Sequence, residues 1–495
     1  MDTKALRQKI LDLAIRGKLV PQDPNDEPAE VLLERIREQK QQMFKEGKLK
    51  KKDIKNDTII FKGEDNLHYE KFQDGTVKCI ENEIPFELPD GWSWARLRDI
   101  CMMSAGKSKS TVQIKSEPFE GSYPCFGGNG VRGYVDEYNQ DGIFSIVGRQ
   151  GALCGNINIA IGKFYATEHA VVTTLFDGID FKWSNYILEA LRLNNYATGA
   201  AQPGLSVANI LNVFVPVPPT QEQDRIGNSV YESLKIIEAL EQEKIDLQKN
   251  IITAKTKILD LAICGKLVPQ DPNDEPASVL LERIRAEKEE LIKHGKIKRD
   301  KKESVIFKGD DNSYYGIHLP DSWNWASLRE IALSISDGSH NPPPNNGSGI
   351  PLLSAANIND NSILMNEISR WITNEEWKIE NQRTNIEVGD VLLTIVGSIG
   401  RSAVVQNNNH FALQRSVAVI KPCLINPLYL MHIVQSPQIQ KWLTDNSKGT
   451  AQKGIYLNAL SLMIIPIPPL AEQARIVELI HIAYKHLDLI SNALL

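Results

Sequence analysis

The sequence predicts an α+β fold in which two mixed α/β domains are separated by long antiparallel coiled-coil helices. Three observations support this prediction. The chain is a tandem duplication, the middle of each copy is rich in short β-prone runs, and a long helical pattern joins the copies. Together these observations predict a pseudo-twofold, circular arrangement of the chain.

The duplication is clearest in the flanks of each copy. KILDLAIRGKLVPQDPNDEPA, residues 9–29, returns at 257–277 with one difference, Arg16 against Cys264. LPDGWSWARLRDI at 88–100 matches LPDSWNWASLREI at 319–331. The ends match as well, PVPPTQEQDRI at 216–226 against PIPPLAEQARI at 466–476. The repeat is therefore roughly 250 residues long, and missing such a repeat would misassign the fold.

The middles of the two copies, at 101–205 and 332–455, share only fragments. The fragment IVGRQGALCG resembles IVGSIGRSAV, which aligns Arg149-Gln150 with Ser398-Ile399. A second comparison aligns Glu168-His169 with Gln414-Arg415. A shared frame that holds two different inserts indicates one architecture presenting two different recognition surfaces.

A helical pattern follows each PxPP motif. Central apolar residues spaced seven apart indicate a coiled-coil seam: Leu240, Leu247, Ala254 and Leu261. The second copy of this helix is split between the two chain ends, so we expect the termini to meet and the joined helix to pair antiparallel with the central one. The other predicted frame positions are Leu6, Ile10, Leu13, Ile226, Val230, Leu234, Ile237, Ile251, Ile258, Ile476, Ile480, Tyr484, Leu487 and Ile490.

Each insert alternates short apolar runs such as GIFSIVG and GDVLLTIVG with Gly and Asn, which predicts a twisted sheet. A helical stretch closes each insert. The predicted boundaries are an N-terminal part of the frame at 1–40, a lysine-rich extension or linker at 41–87, a first insert domain at 88–218, a central long helix and extension at 219–288, a second lysine-rich linker at 289–318, a second insert domain at 319–468, and a C-terminal frame helix that pairs with the N-terminus at 469–495.

Composition limits the class of protein. The formal net charge is −6, which counts against a chain that binds nucleic acid alone through bulk positive charge. Six cysteines without a C-x-x-C pair, together with no visible signal peptide, fit a reducing cytosol. The lysine-rich segments 41–56 and 289–303 fit either a solvated helix end with a linker or an arm that contacts phosphate or another subunit.

Motifs that would indicate catalysis are weak. Asn341 begins N-P-P-P, where an adenine methyltransferase would need an aromatic residue to stack on a flipped base. Gly128, Gly130 and Gly133 match G-x-G-x-x-G, but without the strand, helix and distal acid of a dinucleotide site, so a tight turn is predicted. The chain has no phosphate-binding loop motif and no paired metal-ligand motif, so we predict no catalytic centre, cofactor or metal on it.

These features together resemble the DNA-specificity subunits of type I restriction-modification enzymes. The resemblance covers nearly the whole chain. It is carried by the twin PxPPxxEQxRI motifs, the LPxxWxW motifs at 88–94 and 319–325, the SxxNI-type segment Ser354–Ile358, and the two inserts on a duplicated frame. The chain departs from the shortest family layouts through the repeated LVPQDPNDEPA segment with its lysine-rich tail, and through its short last helix.

The resemblance implies that each insert is a target recognition domain that reads half of a bipartite, asymmetric DNA site. The frame would set the spacer and dock two methyltransferase subunits carrying S-adenosylmethionine. Two motor and nuclease subunits would carry ATP and Mg²⁺. This chain would itself be non-catalytic and cytoplasmic.

Side chains on the insert loops are the candidates for contact with double-stranded DNA. Arg or Lys can read guanine, Asn or Gln adenine, and Ser or Thr either base. In the first insert these candidates are Lys107, Lys109, Arg132, Arg149, Gln150, His169 and Gln202. In the second insert they are Ser339, His340, Asn341, Asn357, Arg401, Gln414, Arg415, Lys448, Gln452 and Lys453. Lys448 and Lys453 flank a turn shared by both domains, which also suits binding to phosphate.

Two alternatives stay open from the sequence. The chain could serve a type IIB-like or modification-only methyltransferase assembly, which differs in its partners and not in this subunit. It could also be a protein-binding scaffold of duplicated α+β modules, for which exposed aromatic patches on the inserts would be the expected sign.

Overall fold

The structure is a computed structural model that describes residues 2–151, 153–199, 203–299, 313–449 and 453–493. It divides into two compact units, unit 1 (Met1–Glu243) and unit 2 (Lys244–Leu495). Each unit mixes helices with a mostly antiparallel sheet, which confirms the α+β prediction. Within the described ranges no helix is both long and apolar enough to cross a membrane.

The elements of unit 1 follow the predicted order of frame, insert and frame. Its helices are α1 (Thr3–Ile15), α2 (Ala29–Lys45), α3 (Lys51–Ile54), α4 (Leu97–Ile100), α5 (Phe181–Ala190), α6 (Val207–Leu211) and the start of α7 (Thr220–Ile263). Its strands are β1 (Ile59–Lys62), β2 (His68–Lys71), β3 (Val77–Cys79), β4 (Ser93–Arg96), β5 (Cys101–Ala105), β6 (Tyr123–Gly127), β7 (Gly130–Val135), β8 (Gln140–Gly148), β9 (Ile157–Ala166), β10 (Ala170–Leu175) and β11 (Phe214–Val217).

Unit 2 repeats this order after the end of α7. Its helices are α8 (Ala277–Lys293), α9 (Leu328–Ile331), α10 (Asn374–Thr384), α11 (Pro427–Val434), α12 (Pro437–Asp445), α13 (Leu457–Leu460) and α14 (Leu470–Ala493). Its strands are β12 (Ser313–Tyr314), β13 (Ile317–His318), β14 (Asn324–Ser327), β15 (Ala332–Asp337), β16 (Ile350–Leu353), β17 (Ile358–Asn359), β18 (Ser362–Ile363), β19 (Trp371–Ile372), β20 (Val391–Thr394), β21 (Ser402–Val404), β22 (Ala412–Leu413), β23 (Val417–Pro422) and β24 (Ile464–Ile467).

The insert sheets have related topologies. In unit 1 the strand order is β5-β10-β8-β9-β6-β7, with β6 parallel to β9. In unit 2 the order β15-β23-β20-β21 repeats the first part, and β16 lies parallel to β22 as β6 does to β9. Strand β8 and its partners carry the apolar face that packs on α5 and the frame in one cluster, with Trp183 and Ile187 buried. Polar loops follow the strand ends, which is where the candidate site lies.

The flanking motifs of the repeat form one buried junction in each unit. Strand β4 of the LPxxWxW motif pairs with β11 of the PxPP motif. In unit 1 the indole Nε1 of Trp92 donates to Glu222 at 3.0 Å, and Gln22 donates to the same carboxylate at 3.2 Å. Trp323, Glu472 and Gln270 repeat these contacts in unit 2. The near-identity of the flanks therefore preserves one hydrogen-bonded junction twice.

The predicted seam of α7 is only partly present. Ile226, Val230, Leu234 and Ile237 are buried in unit 1, as predicted, and Ile251 is buried in unit 2. Between 238 and 250 no residue of α7 is buried, and Leu247 is 38% exposed. The expected continuous heptad seam is thus wrong for the middle of the helix, where Leu240 is only half-buried.

The buried face of the split helix copy also differs from the prediction. In α1 the buried residues are Leu11, Ala14 and Ile15, whereas Leu6 is exposed and Ile10 and Leu13 are half-buried. The repeat of this segment behaves alike, because Leu259, Ala262 and Ile263 are buried and Ile258 and Leu261 are half-buried. The face of α1 that carries Leu11, Ala14 and Ile15 packs on the insert domain. The predicted heptad positions lie on the neighbouring face of the helix.

The C-terminal helix packs on the second half of α7 within unit 2. Lys255 forms an ion pair with Asp488 at 2.5 Å, and the hydroxyl of Tyr484 donates to the carbonyl oxygen of Lys255. Ile476 and Ile480 are buried there as predicted, Leu487 is half-buried, and Ile490 is 45% exposed. The proximity of the two chain termini stays a prediction.

The lysine-rich extension of unit 1 contains a small sheet that the sequence did not reveal. Strands β1, β2 and β3 pair antiparallel, and Ile60 and Ile80 pack on Trp94. Glu70 of β2 accepts two hydrogen bonds from Arg96, which fastens the sheet to the LPxxWxW strand. The predicted linker is therefore a folded part of unit 1 over these strands. Residues 300–312 of the matching segment lie outside the described residues.

A buried histidine gives unit 2 a sensitivity to acid. His432 on α11 is 7% exposed, and its ring meets Tyr484 edge-on with centroids 6.1 Å apart. Burial lowers the pKa of His432 from 6.5 to about 4. In this window the unfolded chain binds a proton that the folded chain does not, so stability falls as the pH falls.

Replacing His432 by phenylalanine should remove this dependence. Between pH 6.5 and 4, the titration of His432 should lower the unfolding free energy of wild-type unit 2 by about 3 kcal/mol. The variant has no imidazole here, so this part of the loss should be absent from it. Urea unfolding at a series of pH values measures the difference. The exposed His294→Gln is the control, and equal pH slopes for wild type and His432→Phe would contradict the assignment.

Candidate nucleic-acid interface

Five chain segments meet at one polar edge of the unit 1 sheet. The backbone N–H of Arg149, just after β8, donates to the carbonyl of His169 at 2.9 Å. The N–H of Thr167 donates to the carbonyl of Phe126 at 3.0 Å, which brings the end of β6 to the same loop. The segment that begins at residue 203 joins them, because the N–H of Leu205 donates to the carbonyl of Arg149 at 2.8 Å. This edge, at 106–109, 127–132, 149–151, 167–169 and 203–205, is called edge 1 below.

Unit 2 builds the same edge from different side chains. The N–H of Ile395 donates to the carbonyl of Ser416 at 2.8 Å, and that of Gln414 to Leu353 at 2.8 Å. The N–H of Ile455 donates to the carbonyl of Ile395 at 2.9 Å, repeating the bond that Leu205 makes in unit 1. Edge 2 comprises residues 337–341, 354–357, 395–401, 414–416 and 453–455, together with Arg383. Lys448 adjoins this edge, because its backbone exchanges hydrogen bonds with that of Gly454.

These bonds correct both loop alignments made from the sequence. Gly148 pairs with Ala170, and Thr394 pairs with Val417 at the same place in the second sheet. Arg149 and Gln150 therefore correspond to Ile395 and Val396, three residues before Ser398 and Ile399. The shared IVG letters were a chance match between a strand end and a turn.

The second alignment is wrong by one residue. The pairing of β9 with β6 and of β22 with β16 makes Ala166 equivalent to Leu413. Glu168 and His169 then correspond to Arg415 and Ser416. The two edges still differ in chemistry at every one of these four positions.

Edge 1 contains a cavity of about 520 Å³ that brings together three predicted residues, Arg132, Gln150 and His169. Its floor is the hairpin of β6 and β7, where a Cβ added to Gly128 would lie 3.2 Å from the carbonyl oxygen of Gln150. Gly130 has φ +85°, a left-handed conformation that favours glycine. The G-x-G-x-x-G spacing thus lies in a hairpin turn, as the tight-turn interpretation expected.

The other candidates of edge 1 differ in how much of each side chain is exposed to solvent. Lys107 is exposed, but the side chain of Lys109 is only 7% exposed and its Nζ lies 2.7 Å from Glu137. Lys109 therefore supports the edge and has little surface to offer a base. Arg149 is half-buried and its Nε donates to the carbonyl of Leu205 at 3.2 Å. Gln202 lies outside the described residues.

Edge 2 exposes most of its predicted side chains. His340, Asn341, Arg401, Arg415, Lys448 and Lys453 are exposed, and Gln414 is half-buried. Two candidates are corrected, because Ser339 is 7% and Asn357 3% exposed. The side chain of Asn357 accepts from the N–H of Ser354 at 3.0 Å and donates to the carbonyl of Glu367 at 2.9 Å, so it shapes the SxxNI turn. Gln452 lies outside the described residues.

Sequence reasoning missed Arg383, which lies in the last turn of α10. Its Nε donates to the carbonyl of Asp337 at 2.9 Å, and its Nη2 donates to the Asp337 carboxylate. Nε2 of His340 lies 2.7 Å from the other carboxylate oxygen. Helix α10 has no counterpart in the first insert, so the comparison of copies gave no signal for it.

A buried carboxyl group with a strongly raised pKa lies between α2 and α4 of the frame. Burial raises the pKa of Asp99 to about 7, against the opposing effect of nearby Lys40. Asp99 accepts from the N–H of Arg96 at 2.8 Å, and Lys40 pairs with Asp57 at 2.7 Å. These groups join α2 to the insert, and they belong to the frame and not to edge 1.

Within the described ranges, no group of three or more His, Cys, Asp or Glu side chains is placed to hold a metal ion. The cysteines at 79, 101, 125, 154, 264 and 423 are all free thiols.

Two copies of one mixed domain, each ending in a polar edge of different chemistry, define a recognition protein with two reading surfaces. The chain belongs to the family of type I restriction modification DNA specificity domains, whose model matches residues 89–255 and 320–494. The family and subunit class that the motifs indicated are thereby confirmed.

Named relatives support this assignment. The Escherichia coli type I restriction enzyme EcoEI specificity subunit is 27% identical, over 99% of this chain and 90% of its own length. The E. coli EcoAI specificity subunit is 30% identical, over 72% of this chain and 67% of the relative. A solved structure of a type I restriction-modification assembly shares the fold, with a TM-score of 0.50, 17% identity, and coverage of 83% of this chain and 94% of that chain.

Proposed function

We propose that this chain reads a bipartite, asymmetric DNA sequence, with edge 1 bound to one half-site and edge 2 to the other. The observation that carries the proposal is the equivalence of the two edges in backbone and their difference in side chains. Arg149, Gln150, Glu168 and His169 of edge 1 stand where edge 2 has Ile395, Val396, Arg415 and Ser416. Readers of two different sequences need a common scaffold with different hydrogen-bonding groups at the same places.

The frame would hold the two readers at a fixed separation and dock two methyltransferase subunits and two motor or restriction subunits. The half-exposed face of α1 (Leu6, Ile10 and Leu13) and the exposed middle of α7 offer frame surface for such contacts. S-adenosylmethionine, ATP and Mg²⁺ would be bound by those partners, in the cytoplasm. The joined terminal helix and the predicted domain boundaries are part of this proposal.

The charge of the inserts suggests weak binding by the chain alone. Basic and acidic side chains are close to balanced in both inserts, so few counterions would be released from DNA. We expect the isolated subunit to bind its duplex much more weakly than the assembled methyltransferase complex. A gel shift at physiological salt measures this, and nanomolar binding by the free subunit would contradict it.

Mapping methylated adenines after co-expression with a methyltransferase of the same system tests the main proposal. We expect a bipartite motif with a fixed unspecified spacer. His169→Ala should relax one half of the motif and Arg415→Ala the other, each by about tenfold at one position. A continuous motif, or no methylation from a complex shown to be assembled, would refute the function.

A further inference from the structure

Edge 2 contains a buried carboxylate whose equivalent in edge 1 is an alanine. Asp337 is 6% exposed and pairs with Ala418 of β23, whereas Ala105 pairs with Val171 at the same place in unit 1. The sheet therefore closes without a charge at this position. A carboxylate buried here must be compensated by cations or donors, and it costs stability compared with an apolar side chain.

The compensating groups are two half-exposed side chains from different segments. His340 follows β15 directly, while Arg383 comes from α10, which the first insert lacks. The side chains of His340 and Arg383 are 52% and 50% exposed, although each is held on a carboxylate that is only 9% exposed. A buried carboxylate that orients a solvent-exposed arginine is the arrangement expected where that arginine contacts a DNA base.

The guanidinium of Arg383 is held at one end only. Nε and Nη2 are occupied by Asp337, and Nη2 also lies 3.3 Å from Nε2 of His340. Nη1 has no protein partner among the residues that the structure describes. Fixing Nε and Nη2 sets the plane of the group and reduces the rotamer entropy lost on binding, so the free side of the fork is ready for a ligand.

The loop beside Arg383 already carries proposed DNA contacts. The N–H of Arg415 donates to the carbonyl of Ser339 at 2.9 Å, which places Arg415 next to the segment from Asp337 to His340. Two arginines on one edge, one of them oriented by a carboxylate, suit the major-groove face of guanine, whose O6 and N7 both accept. A phosphate contact would need the positive charge but not a fixed plane.

We infer that Arg383 is a specificity-determining residue that reads a guanine in the half-site bound by edge 2, and that Asp337 is the positioning residue that orients it. This inference rests on the proposed function, since it assumes that edge 2 faces DNA. His340 contacts the second oxygen of the Asp337 carboxylate, so both oxygens have a partner. The guanine belongs to the second half-site only, because edge 1 has neither the carboxylate nor α10.

The test maps the methylated motif of assembled complexes that contain Arg383→Gln, Arg383→Lys or Asp337→Ala. Each variant should lose about 10- to 100-fold of the preference for guanine at one position of the second half-site, with the first half-site unchanged. Arg383→Lys keeps the charge but not the fork, so a phosphate contact would survive it. Asp337→Ala should fold, because alanine is the residue that edge 1 carries there.

Arg370→Gln is the matched control, because Arg370 lies in the same domain and its Nη2 also donates to a backbone carbonyl, that of Pro343 at 2.7 Å. It should leave the guanine assigned to Arg383 intact. An unchanged motif in all three test variants would overturn the inference while the bipartite motif of the wild type upheld the proposed function. A uniform loss of methylation in Arg383→Gln, with the guanine preference kept and Arg383→Lys unaffected, would reassign Arg383 to phosphate.

Discussion

Gly106→Ala and Gly338→Ala are each expected to destabilise the unit that carries them by about 3 kcal/mol, the upper range for overpacking. A Cβ on Gly106 would lie 2.1 Å from the carbonyl oxygen of Ala166 and 2.6 Å from that of Thr167. On Gly338 it would lie 2.1 Å from the carbonyl oxygen of Leu413. These neighbours are backbone atoms, so the strand end and the loop would have to separate.

The two glycines explain how each polar edge is closed. The N–H of Gly106 donates to the carbonyl of Ala170, and the next N–H, of Lys107, donates to Ala166, both at 3.0 Å. Gly338 and Ser339 make the equivalent bonds to Val417 and Leu413. An added methyl group would break this double contact, so Gly338→Ala should also weaken recognition of the second half-site more than that of the first.

Chemical unfolding of the full chain, with hydrogen exchange of β10 and β23, measures the effect of each substitution. Gly204→Ala is the matched control in unit 1, because its added Cβ would meet only the carbonyl oxygen of Arg149 at 3.8 Å. If Gly106→Ala unfolded within about 0.5 kcal/mol of the wild type, the close approach at this edge would be wrong.

Much of the frame could be predicted from the sequence, because the residues kept in both copies of the repeat mark the structure that the copies share. Residues kept in both copies, such as Trp92 with Trp323 and Glu222 with Glu472, proved to be partners in one buried junction. The near-identity of the flanks indicated that they share a structure. It could not indicate which side chains meet, because the indole and its carboxylate are 130 positions apart along the chain.

Residue equivalence between the inserts was harder to predict, because a shared short sequence does not establish the same strand register. IVG occurs in both copies, but β8 includes all three residues while β20 ends at Thr394, before the second IVG. Only the pairing of Gly148 with Ala170, and of Thr394 with Val417, sets the true equivalence. Successive side chains of a strand point to opposite faces of the sheet, so a register shift of one residue moves each side chain to the other face. Such a shift leaves the composition of the strand almost unchanged.

The candidate residues show the same limit. Asn357 and Arg401 are alike in a sequence, each a polar residue beside a glycine- or asparagine-rich turn, yet one is buried and the other exposed. Arg383 lay in a helix without a partner in the first copy, so the comparison passed over it. Burial and hydrogen bonding separate such residues, and neither is encoded by residue type alone.

Trp92→Phe should destabilise unit 1 by about 1–3 kcal/mol more than Trp94→Phe, although the two tryptophans share one LPxxWxW motif. Both indoles are buried, at 7% and 3% exposure, so both substitutions remove similar apolar area. Nε1 of Trp92 donates to Glu222, whereas Nε1 of Trp94 finds no acceptor among the described residues. Only the first substitution leaves a buried carboxylate oxygen without its donor.

The pH dependence of this difference identifies the carboxylate as its cause. Burial raises the pKa of Glu222, and the hydrogen bond from Trp92 opposes that rise, so Trp92→Phe should raise the pKa further. An acid whose folded pKa is raised loses stability as the pH rises through that pKa and regains it as the pH falls. The deficit of Trp92→Phe should therefore shrink toward acid pH, while that of Trp94→Phe stays constant. Urea unfolding between pH 7 and pH 5 measures both, and parallel curves for the two variants would mean that the indole of Trp92 acts through packing alone.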